Sequence, residues 1–115
     1  RGGELAGKED DFSAITVAQG NIDHIFIGKT LGEIARNQET SVIDALINII
    51  LASEDQVVCF MPFINDKNAE MAILSKLSII ASDGAGYNIS DVANKKLLTH
   101  QRSFGAFPKF LKEYA

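Results

Sequence analysis

Residues 42 to 53 read Val-Ile-Asp-Ala-Leu-Ile-Asn-Ile-Ile-Leu-Ala-Ser. Only Asp44 and Asn48 break the apolar run before Ser53. Being four residues apart, they share one narrow stripe of a helix. A surface helix normally keeps a wider polar face. This one has to be covered on most sides, so the fold must bring other elements around it. Its start is marked by Ser41, placed three residues before Asp44 as a capping hydroxyl would be. Upstream, Thr30-Leu31-Gly32-Glu33 matches a capping box and predicts a short helix over about Leu31 to Asn37.

The elements on either side predict an α/β protein. Phe12 to Ala18 alternates roughly and reads as a strand. Gln19 to Lys29 reads as a loop whose Ile22, Ile25, Phe26 and Ile27 pack down. Gln56 to Pro62 is a second strand, built on Val57, Val58, Cys59, Phe60 and Met61. Asn65-Asp66-Lys67-Asn68 opens a helix. Lys76 to Ala81 is a third, buried strand, stopped by Ser82-Asp83-Gly84. A polar loop over 87–99, with a short turn after Ser90, leads to a last helix in which Pro108 stands near the first position. Strands separated by helices indicate parallel βαβ units with right-handed crossovers. Three strands fall short of a closed barrel, which needs eight. The 115 residues bound the chain to a single segment of one domain, with residues 1–11 a loose leader rich in Gly and charge.

Composition excludes several classes of function. A net charge of −4 gives no electrostatic basis for nucleic-acid binding. No apolar run reaches the roughly 18 residues of a membrane span, and no secretory signal opens the chain. The lone Cys59 excludes an internal disulfide and points to a reducing, cytoplasmic compartment.

Residues that could carry chemistry are few. Asp83 follows the last apolar residues of its strand, at the edge where α/β proteins assemble their sites. Gly84 and Gly86 would let the backbone turn and leave room beside the carboxylate. An ordinary Asp-Gly turn explains the same tripeptide. Arg102 could hold a substrate carboxylate in a two-point fork; it could equally be a surface arginine or the partner of a local acid. His24 and His100 form no His-x-His pair, and no spacing in the chain makes a metal site unaided. His24 reads as a solvated side chain and Cys59 as a small hydrophobe in its strand.

Several stretches together resemble one family. Gly28-Lys29-Thr30-Leu31-Gly32-Glu33-Ile34-Ala35, the apolar helix after Ser41, Ile80-Ala81-Ser82-Asp83-Gly84, and the segment His100-Gln101-Arg102-Ser103-Phe104-Gly105-Ala106-Phe107-Pro108-Lys109-Phe110-Leu111 occur in the order found in the N-acyl-D-amino-acid deacylases. These D-aminoacylase-like enzymes belong to the amidohydrolase superfamily. The family pattern near the end is His-Pro-Arg-Ser-Tyr-Gly-Thr-Phe-Pro-Arg; here Gln101 replaces the first proline and Phe104 the tyrosine. The resemblance covers about residues 12 to 115.

It implies a metal-dependent (β/α)8 hydrolase barrel, of which this chain would supply the last strands and helices. Asp83 would be the catalytic carboxylate at the zinc site, acting as general base and acid. Arg102 would bind the carboxylate of the D-amino-acid moiety, and His100 would be structural or adjacent to substrate. The substrate would be a small-molecule N-acyl-D-amino acid, hydrolysed to a carboxylate and a free D-amino acid. Zinc would belong to the complete enzyme, because the family's remaining ligands lie upstream of the matched stretches. For this chain alone neither a cofactor nor activity is expected. The alternative is a small non-catalytic α/β module that self-associates through its apolar surface, and the uncovered face of the 42–53 helix makes self-association an expectation in either case.

Overall fold

Part of the chain packs around β1 (Thr16–Gly20), whose Val17 and Ala18 are fully buried. The computed structural model describes residues 12–94 and 96–115; the leader predicted at 1–11 lies outside the described residues. These form two compact units: residues 12–61 with 89–98, and residues 62–88 with 99–115. Together they make a mixed α/β protein.

In the first unit, β1 pairs antiparallel with β2 (Val57–Phe60), Val17 opposite Cys59 and Gly20 opposite Val57, with an irregularity between Val17 and Gln19. At that irregularity the Ala18 carbonyl accepts instead from the Leu98 amide, at 2.7 Å. On its other side β1 is bonded to the segment entering the first helix. The Val17 amide donates to the Lys29 carbonyl at 3.0 Å, and the Leu31 amide donates to Ile15 at 2.8 Å. Ile22, Phe26 and Ile27 of the intervening loop pack on the core as predicted, while Ile25 stays exposed.

Helix α1 (Leu31–Gln38) begins with the capping box read in the sequence. The Thr30 hydroxyl accepts from the Glu33 amide at 3.2 Å, and the Glu33 carboxylate accepts from the Thr30 amide at 2.8 Å. Those hydrogen bonds from Thr30 hold the Glu33 carboxyl below the usual carboxylate range. A lowered folded-state value means that this stabilisation is present above the ordinary carboxylate range and is lost as pH falls through the lowered value. Ser41 caps α2 (Val42–Ala52), accepting from the Asp44 amide at 3.1 Å. Leu31, Ile34 and Ala35 of α1 meet Ala45 and Ile49 of α2 and Ile15 and Val17 to form the core.

Three expectations are corrected here. First, β1 and β2 run antiparallel, and no parallel βαβ pair occurs among the described residues. One helical crossover returns the chain to the end from which it started and yields a parallel neighbour. Two helices lie between β1 and β2, joined by three residues with Glu39 in the left-handed region. A down-and-up pair of that kind brings the chain to the opposite end of the sheet. Second, α2 is not covered on most sides. Ala45 and Ile49 are buried, but Ile43, Ile47 and Leu51, one helical stripe, are 40%, 47% and 71% exposed. Third, Lys76 to Ala81 adopts no strand, and Leu77 and Ile79 are 94% exposed. A strand needs a backbone neighbour to take its amides and carbonyls, and none of the described residues supplies one here.

The second unit holds α3 (Asp66–Ile73), capped by the Asn65 side chain at 2.8 Å from the Lys67 amide, and α5 (Arg102–Glu113). The short α4 (Ile89–Ala93), which belongs to the first unit, answers to the turn expected after Ser90. Pro108 lies inside α5 rather than near its start. Its missing N–H leaves the Phe104 carbonyl without the usual intrahelical donor, a cost an exposed helix tolerates. Among the described residues no helix is long and apolar enough to cross a membrane.

Candidate functional site

The segment leaving the 76–81 run and the start of α5 are brought together in the second unit. Ser82 accepts from the Gly84 amide at 3.2 Å, closing a local turn. Within it Asp83 itself takes the left-handed conformation, φ 46°. Asp is one of the few non-glycine residues that visit this region, because its short polar side chain bonds locally. The left-handed residue of the turn is therefore Asp83 and not one of the glycines expected to let the backbone turn there. Gly84 supplies closeness: a Cβ there would lie 2.9 Å from Cα of Ser103. Gly86 has no such demand, with nothing within 4 Å of the corresponding point.

Arg102 is the first residue of α5. Its backbone amide donates to Nδ1 of His100 at 3.1 Å, and the Ser103 amide donates to the His100 carbonyl at 3.0 Å. His100 thus sits where the helix start needs an acceptor, a structural task. From this start the guanidinium reaches back, and Nη2 of Arg102 stands 2.9 Å from Oδ2 of Asp83. The two side chains are 48% and 85% exposed, so the pair sits in solvent. An ion pair of that exposure contributes only about 0–1 kcal/mol and weakens with salt.

The structure therefore brings the predicted residues Asp83, Arg102 and His100 into one neighbourhood and adds a fourth. The Ser103 hydroxyl is buried and has no hydrogen-bond partner among the described residues. Nothing in the sequence sets it apart, where it is an ordinary serine beside a more prominent arginine. In the same unit Ile73, Ile80, Ala81, Ala106, Phe110 and Tyr114, with Lys109, line a hollow of about 180 Å³. Tyr87 and Phe104 add a tilted ring contact at 6.5 Å.

The remaining candidates stand apart from this cluster. Cys59 lies half-buried in β2 against the core of the first unit, and burial pushes its thiol up, away from the reactive thiolate. His24 is exposed on a single 3-10 turn (His24–Phe26).

A zinc ion fits poorly with the residues present. Catalytic zinc takes about three protein ligands. Among the described residues no three His, Cys, Asp or Glu side chains are grouped to hold a metal, and Asp83 supplies one ligand at most. What the cluster can do unaided is offer a carboxylate for proton transfer and a guanidinium for an anion, side by side. The chain matches no family model, no curated protein and no solved structure.

The Gly84–Ser103 approach gives a direct test of this geometry. Gly84→Ala forces a methyl against backbone, and overpacking of this kind typically costs about 1–3 kcal/mol. Gly86→Ala should be close to neutral. Urea denaturation of the two variants checks it; equal midpoints would show that the close approach is absent in solution.

Proposed function

We propose that Asp83 and Arg102 form the substrate end of a D-aminoacylase-like amidohydrolase site, and that the parent reaction is hydrolysis of an N-acyl-D-amino acid. The observation that carries this is the 2.9 Å approach of Asp83 to Arg102, two residues that stand in separate sequence motifs. The resemblance of those motifs to the deacylase family supports the assignment of roles. In such a site Arg102 binds and orients the substrate's α-carboxylate through its planar fork. Asp83 takes a proton from the attacking water as the new C–O bond forms, and passes it to the amine nitrogen as the C–N bond breaks. The products are a carboxylate and a free D-amino acid. His100 keeps the start of α5, and with it Arg102, in place. The zinc that the resemblance implies would need ligands that the described residues do not gather, and no step here runs through it. In the parent fold we place 76–81 as a parallel barrel strand with Asp83 at its C-terminal edge; that pairing would supply the backbone partner the segment lacks here.

A second proposal rests on the exposed stripe Ile43, Ile47 and Leu51, together with Val58 of β2 at 47% exposure. Burying a large aliphatic side chain is worth roughly 1.5–3 kcal/mol, so two or three of them can drive self-association of a non-catalytic module.

Both proposals have separate tests. In a protein that carries this chain within an active deacylase, Asp83→Asn should lower kcat by about 10²–10⁴-fold, the usual loss on removing a general acid–base. Arg102→Lys should raise KM most for substrates with a free α-carboxylate and less for the matching amides. A near-normal kcat, or equal losses on acids and amides, would remove these residues from the chemistry. For association, light scattering across a concentration series should show a mass rising above that of the monomer. A constant monomer mass would count against the module.

A further inference from the structure

The two residues that the hydrolase proposal needs facing a substrate are facing each other. Oδ2 of Asp83 stands 2.9 Å from Nη2 of Arg102, one nitrogen of the fork that a substrate carboxylate would take. We propose that the Asp83–Arg102 pair is a carboxylate-exchange latch: an incoming ligand carboxylate takes over the guanidinium of Arg102 and releases the Asp83 side chain. This rests on Arg102 being a carboxylate site.

Three features make the exchange feasible. The pair is largely in solvent, with side-chain exposures of 48% and 85%, so it is held by little free energy and an anion can approach it directly. The exchange replaces one carboxylate by another, so the guanidinium keeps a counter-charge throughout. The backbone on both sides is held by contacts that do not involve the pair. The start of α5 is tied by the Arg102 amide to His100 Nδ1 and by the Ser103 amide to the His100 carbonyl. The Asp83 loop is seated by Gly84 against Ser103 and by the Ser82 hydroxyl on the Gly84 amide. Side-chain rotation alone can open the latch, a motion of the picosecond-to-nanosecond class for exposed groups. The consequence is order: Oδ2 of Asp83 leaves Arg102 as a carboxylate docks, so binding of the correct end of a substrate would free the base from its ion pair.

The test uses the 115-residue chain and acetate as the probe, with ionic strength held constant by chloride. NMR follows the Arg102 Nε–H and the Asp83 carboxyl carbon. In the unsubstituted chain both signals should move with one dissociation constant. At saturation the Asp83 carbon should reach the position it has in Arg102→Gln. Removing the internal competitor in Asp83→Asn should tighten acetate binding by about 1.5- to 5-fold, the range that corresponds to an exposed ion pair. Arg102→Gln should abolish binding. An Asp83 carbon that stays put while acetate binds through Arg102, or an Asp83→Asn affinity no tighter than the parent's, overturns the latch and leaves the carboxylate role of Arg102 standing. Acetate binding unaffected by Arg102→Gln overturns both.

Discussion

A strand that runs through a core must find partners for its buried backbone amides and carbonyls, since leaving one unmet costs about 1–3 kcal/mol. β1 is that strand in the first unit, and the surrounding elements answer this constraint. β2 takes one edge, the 28–31 segment takes the other, and Leu98 reaches the Ala18 carbonyl where the ladder slips. Because Leu31 must bond to Ile15, the capping box at Thr30 is held against the strand, and α1 starts there. Ile34 and Ile49 then complete the core over Val17. Gly20 is part of the same arrangement: a Cβ there would collide with the Gln56 carbonyl, the acceptor for the Asn21 amide at 2.8 Å.

The second unit is built differently. Among its described residues none is classed as buried, and the contacts that hold it include a close backbone approach, the ring contacts Tyr87–Phe104 and Phe110–Tyr114, and the exposed ion pairs Asp83–Arg102 and Lys109–Glu113. Low burial and few long-range contacts are the features of segments that open easily. Function-bearing groups are commonly drawn from such regions, where side chains can exchange partners without disturbing a core.

What the sequence made legible was local. The capping signals at Thr30 and Ser41 involve groups three residues apart, and both were observed. The downward packing of Ile22, Phe26 and Ile27 followed from composition alone. Strand direction was not legible, because it depends on whether two helices act as one crossover or as a reversing pair. The run from Lys76 to Ala81 misled for a related reason: an apolar run reports a tendency to be buried and says nothing of who pairs with its backbone. Asp83 and Arg102 were legible as candidates, each from its own motif, and an acid partner was among the readings of Arg102, but nothing in the sequence named Asp83 as that acid. Gly84 was legible as a residue that leaves room, though the room is taken by Ser103 rather than left beside the carboxylate, and the left-handed turn residue is Asp83.

The central claim is that Arg102, beside Asp83, is a site for a substrate carboxylate. The most direct measurement is the Arg102 Nε–H resonance of the chain during titration with N-acetyl-D-alanine and, separately, with N-acetyl-D-alaninamide. The account predicts a saturable shift with the acid and none with the amide, since the guanidinium fork recognises paired carboxylate oxygens. Equal shifts with both compounds, or no shift with the acid, would contradict it.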